Sequence, residues 1–276
     1  MKKKNPLISI VLPAHNEEAH IEVCLNSLLN QSYKPIEIFI VDDGSKDKTA
    51  EIVRKFAPKV TLLQQPQSGP GIAWNTGFKH TKGEILMFWA SDHIYGKDYI
   101  KDLATPIIKG EALRTVQSRE DIANADKIWA RGWGEREPRD INETENTTAA
   151  LTSRQVFLKA GGFDPKRGYA DDQSIYDKTK IKTKIVHTTI SHFNPESLKE
   201  SFAQAAWIGA SFKRPYLTLL SLPLFPFYVV GKSVRHFIKD PYIPFIVFLP
   251  IFYTVKYFGH YFGILRKIVL KKNTRI

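Results

Sequence analysis

Residues 7–17 read Leu-Ile-Ser-Ile-Val-Leu-Pro-Ala-His-Asn-Glu, an apolar run that ends at Pro13 and then turns polar. The run predicts a buried strand, and the helical spacing of apolar residues over 21–29 predicts a helix directly after it. Three further strands, predicted at 36–41, 60–63 and 84–89, alternate with two further helices. This βαβαβαβ order predicts an α/β fold with a mostly parallel central sheet and helices on both faces.

The positive charge of the chain is concentrated near its C-terminus. The formal net charge of the 276 residues is +12. From Ser201 onward eleven Lys and Arg stand against a single acid, Asp240, a net of +10 that leaves +2 for the first 200 residues. We therefore predict an α/β domain over 1–200 and a basic helical region over 201–276, and no nucleic-acid partner.

Two features bear on the cellular compartment. Cys24 is the only cysteine, and its place among apolar residues at helical spacing predicts a core residue rather than half of a disulfide. The apolar run behind the basic N-terminal residues is too short for the core of a signal peptide. We therefore expect a cytoplasmic location.

Polar residues follow three of the predicted strands, at 13–17, 42–45 and 91–93. In parallel sheets ligands bind beyond the carboxyl ends of the strands, where loops and helix N-termini converge. The adjacent acids Asp42 and Asp43 suit either a helix N-cap or hydrogen bonds to a nucleotide base or ribose. Asp92, together with a diphosphate, could complete an oxygen-rich shell around Mg²⁺ or Mn²⁺.

A second acidic pair lies beyond a glycine turn. Gly161-Gly162 precede Phe163-Asp164, and Asp171-Asp172 follow a few residues later. Paired glycines allow the backbone to approach a ligand closely, and one of the two later carboxylates could serve as a general base. The alternative is a surface turn leading into a helix.

The order and spacing of these pieces resemble the family 2 glycosyltransferases of the GT-A fold. The matching segments are 10–18, 41–45, 73–77, 82–85, 90–92 and 161–164, with the pair 171–172. The resemblance implies an inverting transfer from a nucleotide-diphosphate sugar to an acceptor hydroxyl. It also implies that Asp92 is the metal-binding acid of the Asp-x-Asp motif and that Asp172 is the catalytic base. The residues it implies for nucleotide binding are Pro13, Ala14, His15, Glu17, Asp42, Asp43 and Ser91.

The sequence departs from the family pattern at two positions. Ala90 stands where the first acid of the Asp-x-Asp motif is usual, so metal binding would depend on Asp92 with His93 nearby. Trp74 stands where the family commonly has Arg, which removes a phosphate contact. The spacing of the histidines does not indicate zinc, and we expect His192 to be a partly exposed strand residue rather than a ligand of the diphosphate.

The C-terminal region contains two apolar segments, 216–231 and 242–255, flanked by Lys or Arg, and we expect Pro223 and Pro226 to break the first and Pro244 and Pro250 the second. Both are shorter than the roughly 20 apolar residues that a membrane-spanning helix needs. Interfacial or re-entrant helices that meet anionic lipids at the cytoplasmic face of the cell membrane fit better. A buried core helix pair is the alternative. Membrane attachment would favour a lipid-linked or membrane-proximal acceptor.

Two other functions are alternatives to glycosyl transfer, and the sequence argues against the first of them. A sugar-phosphate nucleotidyltransferase needs a glycine-rich, basic loop after the first strand, and residues 13–17 are neither glycine-rich nor basic. A non-catalytic nucleotide-sugar-binding or membrane-scaffolding protein of the same fold is compatible with Ala90 and Trp74.

Overall fold

The computed structural model describes residues 5–134, 137–145, 148–165, 173–211 and 224–270. The chain forms two compact units, one of Met1–Ala123 with Arg136–Phe193 and one of Asn124–Glu135 with Asn194–Ile276. The functional division into 1–200 and 201–276 stays a prediction, because compactness alone does not define a functional domain.

The first unit contains all the described strands, and elements are numbered in chain order along the whole protein. Its first half comprises β1 (Ile8–Ala14), α1 (Ile21–Leu29), β2 (Ile36–Asp43), α2 (Thr49–Arg54), β3 (Val60–Gln65), α3 (Pro70–Phe78) and β4 (Ile85–Phe88). Its second half comprises β5 (His93–Tyr95), α4 (Tyr99–Ile108), β6 (Arg114–Ile122), β7 (Thr144–Glu145), β8 (Leu151–Ser153), α6 (Arg154–Ala160), α7 (Ser174–Thr179) and β9 (Thr183–His192).

The predicted βαβαβαβ order is confirmed, and the strands form one sheet in the order β3-β2-β1-β4-β8-β6-β9-β5, with β7 beside β9. β1 pairs in parallel with β2 and β4, and β2 pairs in parallel with β3. β8 is antiparallel to both β4 and β6, and β5 is antiparallel to β9. The α/β fold class is therefore confirmed, but the sheet is mixed, because β5, β7 and β8 run opposite to the other strands.

Side-chain alternation along the first strands supplies both faces of the sheet with a core. In β1, Ile8, Ile10 and Leu12 join one hydrophobic cluster with residues of α1 and α4. Val11 joins a second cluster with residues of α3, α6 and α7. Successive side chains of a strand point to opposite faces, so a continuous apolar run is what a sheet covered on both sides requires. Cys24 lies buried in the first cluster, as predicted.

The second unit is helical in its described part. It comprises α5 (Ile128–Trp133), α8 (Leu198–Ala210), α9 (Phe225–Lys239) and α10 (Phe245–Leu270). α8 and α10 pack so closely that a methyl group at Gly263 would collide with the carbonyl group of Ala206. The backbones can approach in this way only because a residue without a side chain stands at the crossing.

Contrary to expectation, Pro226 and Pro250 do not interrupt the helices of the C-terminal region. Pro226 lies in the first turn of α9, where its missing N–H costs no helical hydrogen bond. Pro250 lies inside α10, which nevertheless continues to Leu270. The prediction that Pro250 breaks the second apolar segment is therefore wrong; packing of α10 against α8 and α9 offsets the loss of one backbone hydrogen bond. Residues 216–223 of the first apolar segment lie outside the described residues.

Large apolar side chains are exposed in a stripe along each of the two last helices. On α9 Phe227 is 77% exposed and Ile238 is 74% exposed, with Val230 and Val234 between them. On α10 the stripe runs from Val247, 72% exposed, through Ile251, Phe258, Phe262 and Leu265 to Val269, 73% exposed. Steps of three, four or seven residues place the members of each stripe on one helix face. None of the helices in the described part of the chain combines the length and the apolarity needed to cross a bilayer.

Candidate functional site

Several of the predicted site residues meet at the carboxyl edge of the parallel strands. Ala14 at the end of β1 is paired with Asp42 near the end of β2. The hydroxyl of Ser91, which follows β4, donates to the carbonyl oxygen of Pro13 at 2.8 Å. Pro13, Ala14, Asp42 and Ser91 therefore lie together where the strand order predicted them.

Asp43 organises the loop that leads into α3. Its Oδ1 accepts hydrogen bonds from the backbone N–H of Ser68 and from the Gln65 side chain, both at 2.8 Å. Its Oδ2 accepts from the backbone N–H of Gly69, also at 2.8 Å. Asp43 is buried, and this carboxylate joins the end of β2 to residues 65–69. The sequence indicated only a glycine-rich turn here, so the part played by Gln65 was missed.

His15 and the loop after β2 are held together by backbone and side-chain contacts. His15 Nδ1 lies 2.9 Å from the carbonyl oxygen of Asp43, and its Nε2 lies 3.1 Å from the Gln67 side-chain nitrogen. Gly44 has a positive φ of 75°, and a Cβ there would lie 2.8 Å from the backbone nitrogen of Gln67. Only glycine fits this close approach without strain, so the loops of 13–17, 42–45 and 65–69 form one connected edge.

Asp42 and Glu17 both contact other residues of the protein at this edge. Asp42 Oδ1 accepts from the backbone N–H of Ser45 at 3.0 Å, and its Oδ2 accepts from the Gln64 side chain at 3.0 Å. The Glu17 carboxylate lies 3.4 Å from His20 Nδ1, and the Glu17 backbone N–H donates to the Thr49 hydroxyl. Both acids therefore stabilise the loops that carry the predicted nucleotide contacts.

A cluster of acids and histidines lies beside this edge, at the end of β4. Asp92 Oδ1 is 2.7 Å from His93 Nδ1, and Asp92 Oδ2 is 3.2 Å from His192 Nε2. The two imidazole rings stack with centroids 4.4 Å apart. The buried Glu120 of β6 lies 3.6 Å from His192 Nδ1 and 3.8 Å from His93 Nε2. Asp92, His93 and His192 hold their ligand atoms within 4.8 Å of one another, a spacing that suits one metal ion.

The pKa values of Asp92 and His93 are both shifted within this cluster. Burial alone would raise the pKa of Asp92, but His192 and His93 outweigh it and hold that pKa well below its usual range. Burial alone would lower the pKa of His93, but the nearby carboxylates of Asp92 and Glu120 outweigh it and raise that pKa to about 9. Without a metal ion, a proton on His93 therefore supplies positive charge beside the carboxylates.

The unsatisfied atoms of the cluster fit a cation. Asp92 Oδ1 and His93 Nδ1 are both buried and lie 2.7 Å apart as an ion pair, and neither atom has a hydrogen-bond partner among the other described residues. Buried polar atoms without partners are rare, and two lone-pair donors that converge are the arrangement of a metal site. His192 presents Nε2 to the same point and Nδ1 to Glu120, which is how a second carboxylate commonly orients a ligating histidine.

Trp74 and Asn75 serve packing around the glycine turn. The Trp74 indole N–H donates to the carbonyl oxygen of Trp89 at 3.1 Å, and its ring packs on Phe163 with centroids 4.8 Å apart. The Asn75 side chain bonds both the backbone N–H and the carbonyl oxygen of Phe163, at 2.9 and 3.0 Å. The residue that replaces the usual arginine therefore fixes the position of the turn at 161–163.

The predicted catalytic base lies outside the described residues, as does its neighbour Asp171. For Asp172, the structure describes only the residues on either side of 166–172. The backbone N–H of Asp164 donates to the Ser174 hydroxyl at 3.0 Å, so the residues on either side of 166–172 are tied together. The role of Asp172 stays a prediction.

The comparison with protein families agrees with this fold and site. Residues 9–163 match the model of Glycosyl transferase family 2, which is more than half of the chain. This chain therefore belongs to glycosyltransferase family 2.

Two curated relatives are much longer than this chain. The glycosyltransferase GlyA of Streptococcus pneumoniae is 33% identical over 108 residues, which cover 38% of this chain and 16% of GlyA. The hyaluronan synthase of Pasteurella multocida is 28% identical over 211 residues, which cover 71% of this chain and 21% of the synthase. The chain thus matches less than a quarter of the length of each of these two relatives.

Solved structures share the fold across nearly the whole chain. S. aureus TarS in complex with UDP has a TM-score of 0.57 at 20% identity, with 96% of this chain and 92% of that chain covered. The mannosyltransferase PcManGT from Pyrobaculum calidifontis, in complex with GDP-Man and Mn²⁺, has a TM-score of 0.59 at 18% identity, with 98% and 89% covered. At these identities the likeness establishes the GT-A fold alone.

Proposed function

We propose that this protein transfers a sugar, with inversion, from a nucleotide-diphosphate donor to an acceptor hydroxyl. The observation that carries the proposal is the Asp92, His93 and His192 cluster beside the edge formed by Pro13, Asp43 and Ser91. Family membership and two structural neighbours solved with UDP or GDP-Man support the choice of donor.

Each part of this edge has its own role in the proposal. Residues 13–17, Asp42 and Asp43, with Ser91, hold the nucleoside, and Asp92, His93 and His192 hold Mn²⁺ or Mg²⁺. The bound ion would stabilise the negative charge that develops on the leaving diphosphate. Imidazole ligands are less suited to Mg²⁺ than oxygen ligands are, so two histidines favour Mn²⁺. Asp172 takes the proton of the acceptor hydroxyl, as the family resemblance implies.

Replacement of Asp43 by Ala tests the nucleotide edge. Calorimetric titration of the full chain with UDP and with GDP, in the presence of Mn²⁺, is expected to show binding of at least one of them. Asp43→Ala should weaken that binding by about 1 to 3 kcal/mol, because a buried acceptor is lost and residues 65–69 lose their anchor. The melting temperature should fall as well.

Asp47→Ala is the matched control for this experiment. Asp47 accepts hydrogen bonds from the backbone N–H groups of Glu18 and Thr49 and from the Thr49 hydroxyl, so its loss weakens the neighbouring loop without removing a predicted nucleotide contact. An equal loss of nucleotide affinity in Asp47→Ala would contradict a specific contact by Asp43. Absence of any nucleotide binding by the unmodified protein would contradict the proposed donor.

The second part of the proposal concerns location. We propose that α9 and α10 attach the protein to anionic lipids at the cytoplasmic face of the cell membrane, with a lipid-linked or membrane-proximal glycan as acceptor. The exposed apolar stripes of both helices support this proposal. Asp240 is the only acid from 225 to 270, and Arg131 neutralises it through two hydrogen bonds of 2.6 and 2.7 Å. Apolar stripes flanked by basic residues match the chemistry of an anionic bilayer surface.

Charged substitutions within the stripe test the attachment. Truncation before Lys213 would also remove α9 and α10 from the core of the second unit, so point substitutions are cleaner. Phe227→Glu and Ile238→Glu should each weaken binding to phosphatidylglycerol-containing vesicles about tenfold, because burial of an apolar side chain is replaced by a charge. Co-sedimentation with vesicles measures the effect, and phosphatidylcholine vesicles should bind less.

Leu158→Glu is the control, since Leu158 is 59% exposed on α6 of the first unit. This variant should bind vesicles as the unmodified protein does. A protein that stays in solution with every vesicle composition would contradict the attachment. Self-association that is abolished by Phe227→Glu, without vesicle binding, would instead assign the stripe to contacts between copies of the chain.

A further inference from the structure

A partly buried lysine of the second unit is packed against aromatic rings instead of a carboxylate. The Nζ atom of Lys256, in the middle of α10, lies 4.0 Å from the centroid of the Trp133 ring and 5.6 Å from that of Phe252. Among the described residues it has neither a hydrogen bond nor an ion pair. A cation–π contact offsets only part of the cost of removing an ammonium group from water.

The described acids of the second unit all have other partners. Asp126 pairs with Lys127, and Asp240 pairs with Arg131. Glu196 accepts a hydrogen bond from Asn124, and Glu200 accepts one from the backbone N–H of Glu196. No carboxylate in the described part of this unit is therefore positioned to neutralise Lys256.

On α9, Lys232 adds positive charge near Lys256. α9 runs antiparallel to α10, since Phe225 packs on Tyr257 while His236 packs on Phe245. Burial and then the neighbouring Lys232 lower the pKa of Lys256 to about 8. Two nearby ammonium groups repel each other, and an anion bound between them would remove that repulsion.

Hydroxyl groups line the same helix interface. Ser233, next to Lys232, is buried, and its hydroxyl has no hydrogen-bond partner among the described residues. Tyr253 on α10 places its hydroxyl 3.0 Å from His236 Nδ1. The centroid of the Tyr228 ring lies 6.0 Å from Lys232 Nζ and 6.4 Å from that of the Tyr253 ring.

Ammonium and hydroxyl donors without an acceptor match one class of ligand. We propose that Lys232, Ser233 and Lys256, at the interface of α9 and α10, bind a phosphate group carried by a lipid headgroup or by a phosphorylated acceptor. A phosphate oxygen accepts charge-assisted hydrogen bonds from both lysines and a further bond from the serine hydroxyl. The aromatic rings around the site suit the apolar or sugar portion that carries the phosphate. None of these residues belongs to the Asp92 cluster, and the proposed phosphate site does not depend on that cluster.

Lysine-selective NMR of the full chain tests the proposal locally. The ε-carbon resonance of Lys256 reports the pKa of its own ammonium group, and Lys256→Arg identifies the resonance. Addition of inorganic phosphate should raise that pKa, because an anion stabilises the charged form. Lys232→Gln should weaken the phosphate effect about tenfold, and Lys232 is exposed, so this variant should fold normally.

Lys55→Gln serves as a matched control, because Lys55 is an exposed lysine that pairs with Glu51 at 3.6 Å in the first unit. It should leave the phosphate effect unchanged. Two further titrations identify the carrier of the phosphate. A response to phosphatidylglycerol vesicles only assigns a lipid headgroup, and a response to glycerol phosphate or hexose phosphate assigns a phosphorylated acceptor. No shift of the Lys256 resonance with any of these probes would overturn the site, and so would an equal response in Lys232→Gln.

Discussion

Replacement of Asp172 by Asn is expected to lower glycosyl transfer about a hundred- to ten-thousand-fold. A hydroxyl is a poor nucleophile until its proton is leaving, and asparagine keeps the size and polarity of aspartate but cannot take that proton. The affinity for the nucleotide sugar should change little, because the proposed donor contacts lie at Pro13, Asp43 and Asp92. Initial rates of transfer, with calorimetry of donor binding on the same variant, measure both quantities.

Asp171→Asn is the neighbouring control, and it should retain most of the activity. Near-normal turnover in Asp172→Asn would move the role of base to Asp171 or to another acid. A parallel loss of donor affinity would instead make Asp172 part of the metal or nucleotide site. Donor binding without transfer in the unmodified protein, tested with a range of acceptors, would favour a non-catalytic nucleotide-sugar-binding protein.

Loss of the Asp92 carboxylate should have the second large effect. Asp92→Ala is expected to weaken Mn²⁺ binding at least about a hundredfold, and His192→Ala should weaken it about ten- to hundredfold, because each removes a proposed ligand. Electron paramagnetic resonance of free Mn²⁺ measures the affinity directly, without any assay of activity. His187→Ala on the same strand is the control, since His187 is exposed and outside the cluster.

The same site should show a definite pH dependence. The pKa of His93 is raised to about 9 without a metal ion, so at neutral pH a proton must leave before Nδ1 can bind Mn²⁺. The apparent affinity should therefore rise as the pH increases from 6.5 to 8.5. An affinity that is independent of pH would exclude His93 as a ligand, and wild-type affinity in Asp92→Ala would remove the metal from this cluster.

Local patterns were sufficient for much of the fold. Residues 8–12 of the first apolar run are buried on both faces of the sheet, and a continuous apolar run predicts such burial without knowledge of its neighbours. The reversal of direction at β8 was missed because only three residues form that strand, within a polar region that has no clear period. Pro250 misled the helix assignment because its effect depends on packing of α10, which the sequence does not display.

The candidate site was predictable where it depends on strand ends. Asp42, Asp43 and Asp92 each follow an apolar strand, so their common edge follows from parallel pairing. His192 lies 100 residues from Asp92, and no spacing rule joins them; only the pairing of β5 with β9 brings them together. Glu120 was overlooked as well, because the sequence does not show that this acid of β6 is buried.

The close crossing of α8 and α10 limits how the second unit can respond to a surface. Rotation of α10 about its axis would drive a side chain of α10 into the backbone of α8 where Gly263 now meets Ala206. The apolar stripe of α10 therefore has one fixed orientation about the helix axis before the protein meets a surface. Adsorption then requires little loss of conformational freedom within the helix, so the association should be fast and limited mainly by diffusion and electrostatic attraction.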